Sequence, residues 1–264
     1  MQREYITNQN GRIAYWHNEI RQSRETLFFL HGLTADHTMF TAQIRFFEKH
    51  YNIITWDAPA HGQSRPYKSF TYGDAAENML KILDKYGISK AVLIGQSMGG
   101  FISQSFIARY PDRVKGFVSI DSTPYGDYYS QSDMWLLKHI EPLAALYPER
   151  LLKVSMSMQV SVTRRGRRNM SQMLSVYSKK ELCHLMGIGY TGFIEENRPI
   201  EIPCPVILIM GEKDITGKVQ AYNREWTKRT GYPLIRIRNA AHNSNVDAPK
   251  AVNRIIMCFL RKLR

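Results

Sequence analysis

Residues 91–103 read AVLIGQSMGGFIS and contain the most specific structural pattern in the chain. Its first four residues form a short apolar run, which is typical of a strand buried on both faces of a parallel sheet. The turn that follows, GQSMG, leads into a helical pattern and is too tight for bulky side chains two residues before and two after Ser97. The motif therefore predicts a strained turn that exposes the hydroxyl of Ser97 above a sheet. The alternative is a glycine-rich turn with an inert serine.

Short apolar runs alternate with amphipathic helical patterns on both sides of this stretch. Strands are predicted at residues 12–16, 26–30, 52–56, 91–94, 116–120, 206–210 and 234–238. Helices are predicted at residues 71–86, 97–110, 219–229 and 248–263. The alternation predicts an α/β fold, in which helices flank a mostly parallel, twisted sheet with right-handed crossovers.

The alternation is interrupted once, between residues 122 and 198, where no strand pattern is found. This segment is rich in methionine, and tyrosines and a tryptophan cluster at its start. We expect it to be a helical insertion on the upper edge of the sheet. Residues 1–121 and 199–264 would then form the core of a single α/β domain.

A serine hydroxyl is a poor nucleophile and needs a base, which itself needs an orienting carboxylate. His242 lies in the polar loop NAAHNSN, after the last predicted strand, and Asp214 follows the strand before it. Loops that follow parallel strands lie at the same carboxyl edge of the sheet, so a histidine on one of them can reach a serine on another. We therefore predict Ser97 as nucleophile, His242 as base and Asp214 as acid. Asp121, also just past a strand, and Glu212 are the competing acids.

The oxyanion of a tetrahedral intermediate needs hydrogen-bond donors. The backbone N–H of Met98, directly after the nucleophile, is one candidate. The other is the backbone N–H of Leu33, which follows His31 and Gly32 after the strand at residues 26–30. His31 itself is expected to be structural.

Five segments together resemble the α/β-hydrolase superfamily, in particular its small esterase, monoacylglycerol-lipase-like and lactonase branch. They are FFLHGLTADHTMF (28–40), WDAPAHGQS (56–64), IGQSMGGFIS (94–103), MGEKD (210–214) and AAHNSNVDAP (240–249). The resemblance implies that Asp57 and His61 are structural. Serine at position 97 excludes the dehalogenase and epoxide-hydrolase branches. Ala60 and the approach to His242 depart from the usual glycines, which weakens the assignment to a branch.

The resemblance also implies that residues 122–198 are a cap (lid) that roofs an acyl pocket. Methionine and aromatic side chains would give this roof an adaptable apolar wall. The candidate pocket residues are Tyr125, Tyr128, Met134, Trp135 and Met158. The alternative for each of them is that it only holds the helices of the cap together.

The charge of the chain is unusual: 36 basic against 23 acidic residues give +13. Such a balance permits anionic partners. Its sharpest basic run, residues 164–168, is expected to be a solvated loop, with attraction of an anionic substrate or lipid surface as the alternative. Because stacking aromatics and a recognisable module are missing, no nucleic acid is expected.

Other features bound the location of the chain. No apolar run is long enough to span a bilayer, so no integral membrane contact is expected. The first residues do not resemble a secretory signal, which predicts a cytoplasmic protein. Three cysteines without CxxC spacing predict buried thiols.

These observations predict a serine hydrolase that cleaves a small-molecule carboxylic ester through an acyl-enzyme, with no cofactor and no metal. A lactonase, a thioesterase or a hydrolase of carbon–carbon bonds would use the same three residues. Two alternatives from other classes are a non-catalytic ligand-binding protein on the same scaffold and a basic nucleic-acid binder.

Overall fold

The computed structural model describes residues 1–263, which contain eight strands and eleven α-helices. The strands are β1 (Gln2–Asn8), β2 (Gly11–His17), β3 (Thr26–Leu30), β4 (Asn52–Trp56), β5 (Ala91–Gln96), β6 (Val114–Ile120), β7 (Val206–Gly211) and β8 (Leu234–Ile237). The helices are α1 (Thr41–Phe47), α2 (Tyr72–Lys85), α3 (Met98–Arg109), α4 (Gln131–Lys138), α5 (Ile140–Ala145), α6 (Glu149–Gln159), α7 (Arg164–Ser175), α8 (Lys179–Glu196), α9 (Val219–Thr230), α10 (Ser244–Asp247) and α11 (Pro249–Lys262).

The strands form one sheet in the order β1-β2-β4-β3-β5-β6-β7-β8. The first two pairings are antiparallel, and every pairing from β4 to β8 is parallel. The predicted α/β fold with a mostly parallel sheet is therefore confirmed. The sequence prediction missed β1, whose seven residues are exposed or half-buried because it lies at the edge of the sheet. It also missed the short helix α1.

The apolar side chains of β5 feed the hydrophobic core on both faces of the sheet. Val92 and Ile94 belong to one buried cluster, which includes side chains of α11. Ala91 and Leu93 belong to the other, which includes side chains of α2 and α3. Alternate residues of a strand point to opposite faces, so a strand covered on both sides is apolar throughout. In the strand order β5 lies between β3 and β6, so its end is in the interior of the sheet.

Five helices, α4 to α8, lie between β6 and β7, where the sequence predicted a helical insertion. We call residues 131–196 the helical insertion. The predicted loop at residues 164–168 is wrong, because these residues begin α7, although the four arginines of the run are exposed to solvent as predicted. Thr163 caps this helix by accepting a hydrogen bond from the backbone N–H of Gly166, and Met170, Met173 and Leu174 bury one face of it.

The predictions on membrane-spanning segments and on the cysteines can be compared with the structure. None of the helices within residues 1–263 combines the length and the apolar character that crossing a bilayer would require. The three cysteines are free thiols, but only Cys183 is buried, whereas Cys204 is half-buried and Cys258 is exposed. The prediction of buried thiols is therefore wrong for Cys258, which lies on the outer face of α11.

Candidate active site

Ser97 occupies the turn between β5 and α3 in a strained backbone conformation. Its φ of 50° and ψ of −115° lie where side chains with a Cβ rarely go. The two flanking glycines permit the turn. A Cβ on Gly95 would come within 2.4 Å of the carbonyl oxygen of Gly99, and a Cβ on Gly99 within 2.0 Å of that of Leu30. Both contacts are with backbone, which cannot move aside.

The structure brings Ser97, His242 and Asp214 into one chain of hydrogen bonds. The distance from Ser97 Oγ to His242 Nε2 is 2.9 Å, and that from His242 Nδ1 to Asp214 Oδ2 is 2.8 Å. Because a carboxylate only accepts hydrogen bonds, Nδ1 carries the ring proton and donates a hydrogen bond to Asp214. Nε2 is then free to accept from the hydroxyl of Ser97. The three side chains lie on loops after β5, β8 and β7.

Two further side chains hold these loops together, and the sequence analysis assigned neither of them this role. Gln96 donates a hydrogen bond from Nε2 to the carbonyl oxygen of His242, at 2.8 Å. Asp121 accepts hydrogen bonds from the backbone N–H groups of Gly211, at 2.7 Å, and Ser244, at 2.9 Å. Asp121 thereby ties the end of β6 to the loops that carry Asp214 and His242.

The competing acids lie elsewhere. Asp121 is fully buried and bonds to backbone, and its burial and the charge of Asp214 raise its pKa to about 8. Glu212 faces solvent, with Arg236 as its ion-pair partner at 3.8 Å. Only Asp214, whose other oxygen accepts from the backbone N–H of Thr216, contacts the imidazole of His242.

His242 is buried, which disfavours its charged form and by itself lowers its pKa. The charge of Asp214 and its hydrogen bond outweigh this effect, with a smaller contribution from Asp121, so the pKa of His242 lies above its ordinary value. An imidazole with a raised pKa is a stronger base for the hydroxyl of Ser97.

The two residues predicted to supply oxyanion donors, Leu33 and Met98, are each next in the chain to a residue of the turn or one that contacts it. Met98 follows it in the chain and begins α3, where the helix dipole favours negative charge. The loop before Leu33 packs on the turn, since a Cβ on Gly32 would lie 3.3 Å from that of Ser97. Within residues 1–263, neither amide donates to another backbone group.

The side chains expected to be structural make hydrogen bonds to groups other than Ser97. His31 accepts a hydrogen bond at Nε2 from the backbone N–H of Ala58 and donates from Nδ1 to the carbonyl of Gly32. Burial lowers the pKa of His31, and it lowers the pKa of His61 to about 3, so both are neutral. Asp57 accepts from the backbone and the ring of His37.

Asp36, His37 and Asp57 are also the group within the described residues whose atoms could converge on a metal ion. Their geometry has another explanation, because Asp36 accepts from Thr38 while His37 and Asp57 bond to each other. They lie on the loops after β3 and β4.

A cavity of about 330 Å³ opens above Ser97 and His242. The helical insertion contributes a large part of its walls, through α4 and α8. The lining side chains from the insertion are Asp133, Leu136, Leu137, Tyr190 and Phe193. Tyr129 and Phe101 complete the apolar side, and Asp133 forms an ion pair with Lys218 of the core at 2.7 Å.

The five side chains predicted for the pocket lie outside this lining. Tyr125 is buried behind it, stacked on Phe101 and Phe193. The ring of Tyr128 lies under the guanidinium of Arg229, and Met134 packs against the core. Trp135 is 59% exposed and Met158 is 54% exposed.

Side-chain type misled this prediction, and helical spacing groups the lining residues without identifying them as the lining. Residues 133, 136 and 137 occupy one face of α4, and Met134 and Trp135 lie off that face. Tyr190 and Phe193 are likewise three residues apart on α8. The periodicity of the insertion carried this signal, but it does not show which face meets the sheet.

Comparisons with known proteins identify the family and the fold of the chain. A family model described as alpha/beta hydrolase fold matches residues 25–249. The chain is 32% identical over 118 residues to the uncharacterized hydrolase YugF of Bacillus subtilis, covering 44% of this chain and 43% of that protein. It is 33% identical over 95 residues to 3-oxoadipate enol-lactonase 1 of Acinetobacter baylyi, covering 36% of each. The alignments span less than half the length of these curated relatives.

The fold extends over the whole chain. The solved structure of a thermophilic esterase from Thermogutta terrifontis superimposes with a TM-score of 0.79 at 20% sequence identity. That match covers 100% of this chain and 99% of the esterase.

Proposed function

Because the chain belongs to the alpha/beta hydrolase fold family, as its sequence segments indicated, we propose that it is a serine hydrolase acting on carboxylic esters. The observation that carries this proposal is the hydrogen-bond chain from Ser97 through His242 to Asp214. A hydroxyl, an imidazole and a carboxylate in this order supply a nucleophile, a base and the group that orients the base.

In the proposed reaction, Ser97 Oγ attacks the ester carbonyl while His242 Nε2 takes the hydroxyl proton. The carbonyl oxygen becomes an oxyanion and accepts hydrogen bonds from the N–H groups of Leu33 and Met98. The intermediate collapses, the alcohol leaves with the proton from His242, and an acyl group remains on Ser97. Water, deprotonated by His242, then releases the acid and restores the serine.

The cavity supports an ester of modest size. Its volume of about 330 Å³ is at the small end of ligand pockets. We propose that the helical insertion acts as a cap over the cavity, since side chains of α4 and α8 line it. Leu136, Leu137 and Phe193 would surround an apolar acyl or alkoxy group, while Asp133 and Lys218 present polar groups on another side.

A lactone is the second candidate substrate. It is a cyclic ester and would use the same residues, and the chain shares 33% identity over 95 residues with an enol-lactonase. Rates on matched linear esters and lactones would separate the two substrates.

The nucleophile is tested by Ser97→Ala. This substitution removes Oγ alone, so we expect a folded protein that no longer hydrolyses p-nitrophenyl acetate above background and is not labelled by a fluorophosphonate probe. Mass spectrometry of the labelled wild-type protein should locate the adduct on Ser97. Undiminished ester turnover by the variant would refute the proposal.

A matched pair of carboxylate substitutions tests the acid in the same assay. Asp214→Asn should reduce kcat by about 10⁴, because the amide no longer holds the required tautomer of His242. Asp121→Asn should have a far smaller effect on kcat, because Asp121 does not touch the imidazole. The reverse order would assign the acid to Asp121.

A further inference from the structure

A second cleft, lined by four arginines, lies on another face of the molecule. Its volume is about 610 Å³, and it opens between α7 and the segment that runs from Thr38 into α1. The arginines are Arg45, Arg164, Arg165 and Arg168. The hydroxyl-bearing residues Thr38 and Thr41 lie on the α1 side, and Asn169 lies on the α7 side.

The positive charge of this cleft is not neutralised by the protein. No carboxylate lines its described part, and the four guanidiniums have no ion-pair partner within residues 1–263. Asp247, beside the start of α7, already accepts from the backbone N–H groups of Val162, Thr163 and Ala241. Asp36 accepts from Thr38.

The arrangement is unfavourable for the protein alone. The first turn of α7 contains arginines and no acidic residue, although the positive end of a helix dipole disfavours cations. Arg164, Arg165 and Arg168 also repel one another and Arg45. The side-chain oxygen of Asn169 is buried without a hydrogen-bond partner within the described chain. An anion in the cleft would relieve the repulsion.

We propose that this arginine cleft is a binding site for a small molecule that carries several phosphate groups. The planar, forked guanidinium matches a phosphate oxygen pair and binds it in a bidentate manner. The volume falls within the range of small-ligand sites, at roughly 300–1,000 Å³. No aromatic side chain lines the described part of the cleft, so the stacking that a nucleic-acid strand needs is missing.

The site is separate from the proposed ester chemistry, because Ser97 and His242 line the other cavity. A soluble polyphosphate and the phosphorylated headgroup of a lipid share the chemistry that the arginines recognise. The experiment therefore uses two probes, sodium tripolyphosphate and vesicles of phosphatidylcholine that contain phosphatidylinositol 4,5-bisphosphate. Neither probe depends on hydrolase activity, and Ser97→Ala should bind like the wild type.

The test compares two double variants with the same change of charge. Arg164→Gln with Arg168→Gln removes two arginines from the cleft, four residues apart on α7. Arg224→Gln with Lys228→Gln removes two exposed cations, also four residues apart, from α9. Affinity is measured by calorimetric titration and by the shift of the unfolding temperature, at constant ionic strength.

We expect the wild-type protein to bind one probe at a single site and the cleft variant to bind it at least about tenfold more weakly. The α9 variant should bind like the wild type. Without a probe, the cleft variant should unfold at the wild-type temperature or above it, because it has lost like charges. Binding to tripolyphosphate would identify a soluble ligand, and binding to vesicles alone a lipid headgroup. Binding to neither probe, or equal weakening in both variants, would overturn the proposal.

Discussion

His242 connects burial, charge and reactivity in one side chain. Its imidazole is removed from water, which penalises the protonated ring, yet it faces the carboxylate of Asp214 at 2.8 Å. The effect of the carboxylate on the pKa of His242 is larger than that of burial, because an opposite charge in hydrogen-bond contact favours the protonated ring directly. A base built in this way holds its proton more tightly than a free histidine.

The pH dependence of ester hydrolysis should reveal this balance. In the proposed mechanism the neutral form of His242 is the base, so kcat/KM should fall as the pH drops through its pKa. Because that pKa is raised, the midpoint of this limb should lie above about 6.5, the ordinary value for histidine. The measurement is a pH–rate profile with an uncharged ester.

Asp214→Asn serves as the control for this profile. Removing the carboxylate takes away the main cause of the raised pKa, so the midpoint for the residual activity should move to lower pH. A wild-type midpoint below that of the variant would contradict this account of His242.

At the scale of elements, the position of Ser97 depends on the close approach of β5, α3 and β3. The helix begins directly after the serine, and Gly99 in its first turn contacts the backbone at the end of β3. These contacts leave no room for a Cβ. The turn therefore fixes both the strained conformation of Ser97 and the direction of its hydroxyl.

Gly99→Ala should destabilise the protein by about 3 kcal/mol and lower its activity. The new methyl would meet the carbonyl oxygen of Leu30 at 2.0 Å, and relief requires α3 to move away from β3. Gly192→Ala in α8 is the matched control. Its Cβ would touch only the ring of Tyr72 at 3.4 Å, and alanine favours the helix.

Urea unfolding and kcat/KM of both variants provide the measurement. The control should be as stable as the wild type or more stable by up to about 1 kcal/mol. If Gly99→Ala matched the control in both quantities, the close approach of α3 and β3 would not be what holds the turn.

At the scale of the molecule, the helical insertion is fastened to the loop that carries His242. Asp247, at the end of the short helix α10 that follows this loop, accepts hydrogen bonds from the backbone N–H groups of Val162 and Thr163, which link α6 to α7, and from that of Ala241. Asn243 adds a backbone hydrogen bond to Val160 at 2.7 Å. The position of the insertion and that of His242 are therefore mechanically joined.

Asp247→Asn should lower both the stability of the protein and its activity. Both carboxylate oxygens of Asp247 accept hydrogen bonds, whereas an amide has only one oxygen. At least one donor therefore loses its partner, at a cost of about 2 kcal/mol in the free energy of unfolding. We also expect a lower kcat/KM, since the loop around His242 is loosened. Asp112→Asn, at an exposed carboxylate in the 3-10 helix Pro111–Arg113, is the control. Unchanged stability and activity in Asp247→Asn would show that this junction does not support the site.

The order of strands and helices could be read from the sequence because it depends on local spacing. Fully apolar runs such as that of β5, and the small residues around Ser97, reflect constraints that act within a few residues of chain. The edge strand β1 and the start of α7 were not predicted, because their local patterns are weak. The residues of β1 are exposed or half-buried, so they form no apolar run. The arginines at the start of α7 lie between its cap, Thr163, and its apolar residues, so the run itself shows no helical pattern.

Ser97, His242 and Asp214 were likewise selected from the sequence alone, by residue type and by their positions after the strands β5, β8 and β7. The tertiary structure decided what local spacing does not contain. It placed Asp214 rather than Asp121 on the imidazole, chose the face of α4 that lines the cavity in place of Met134 and Trp135, and gathered Arg45 with the arginines of α7. These are contacts between segments far apart in the chain, and they depend on how whole helices and loops are oriented when they pack on the sheet.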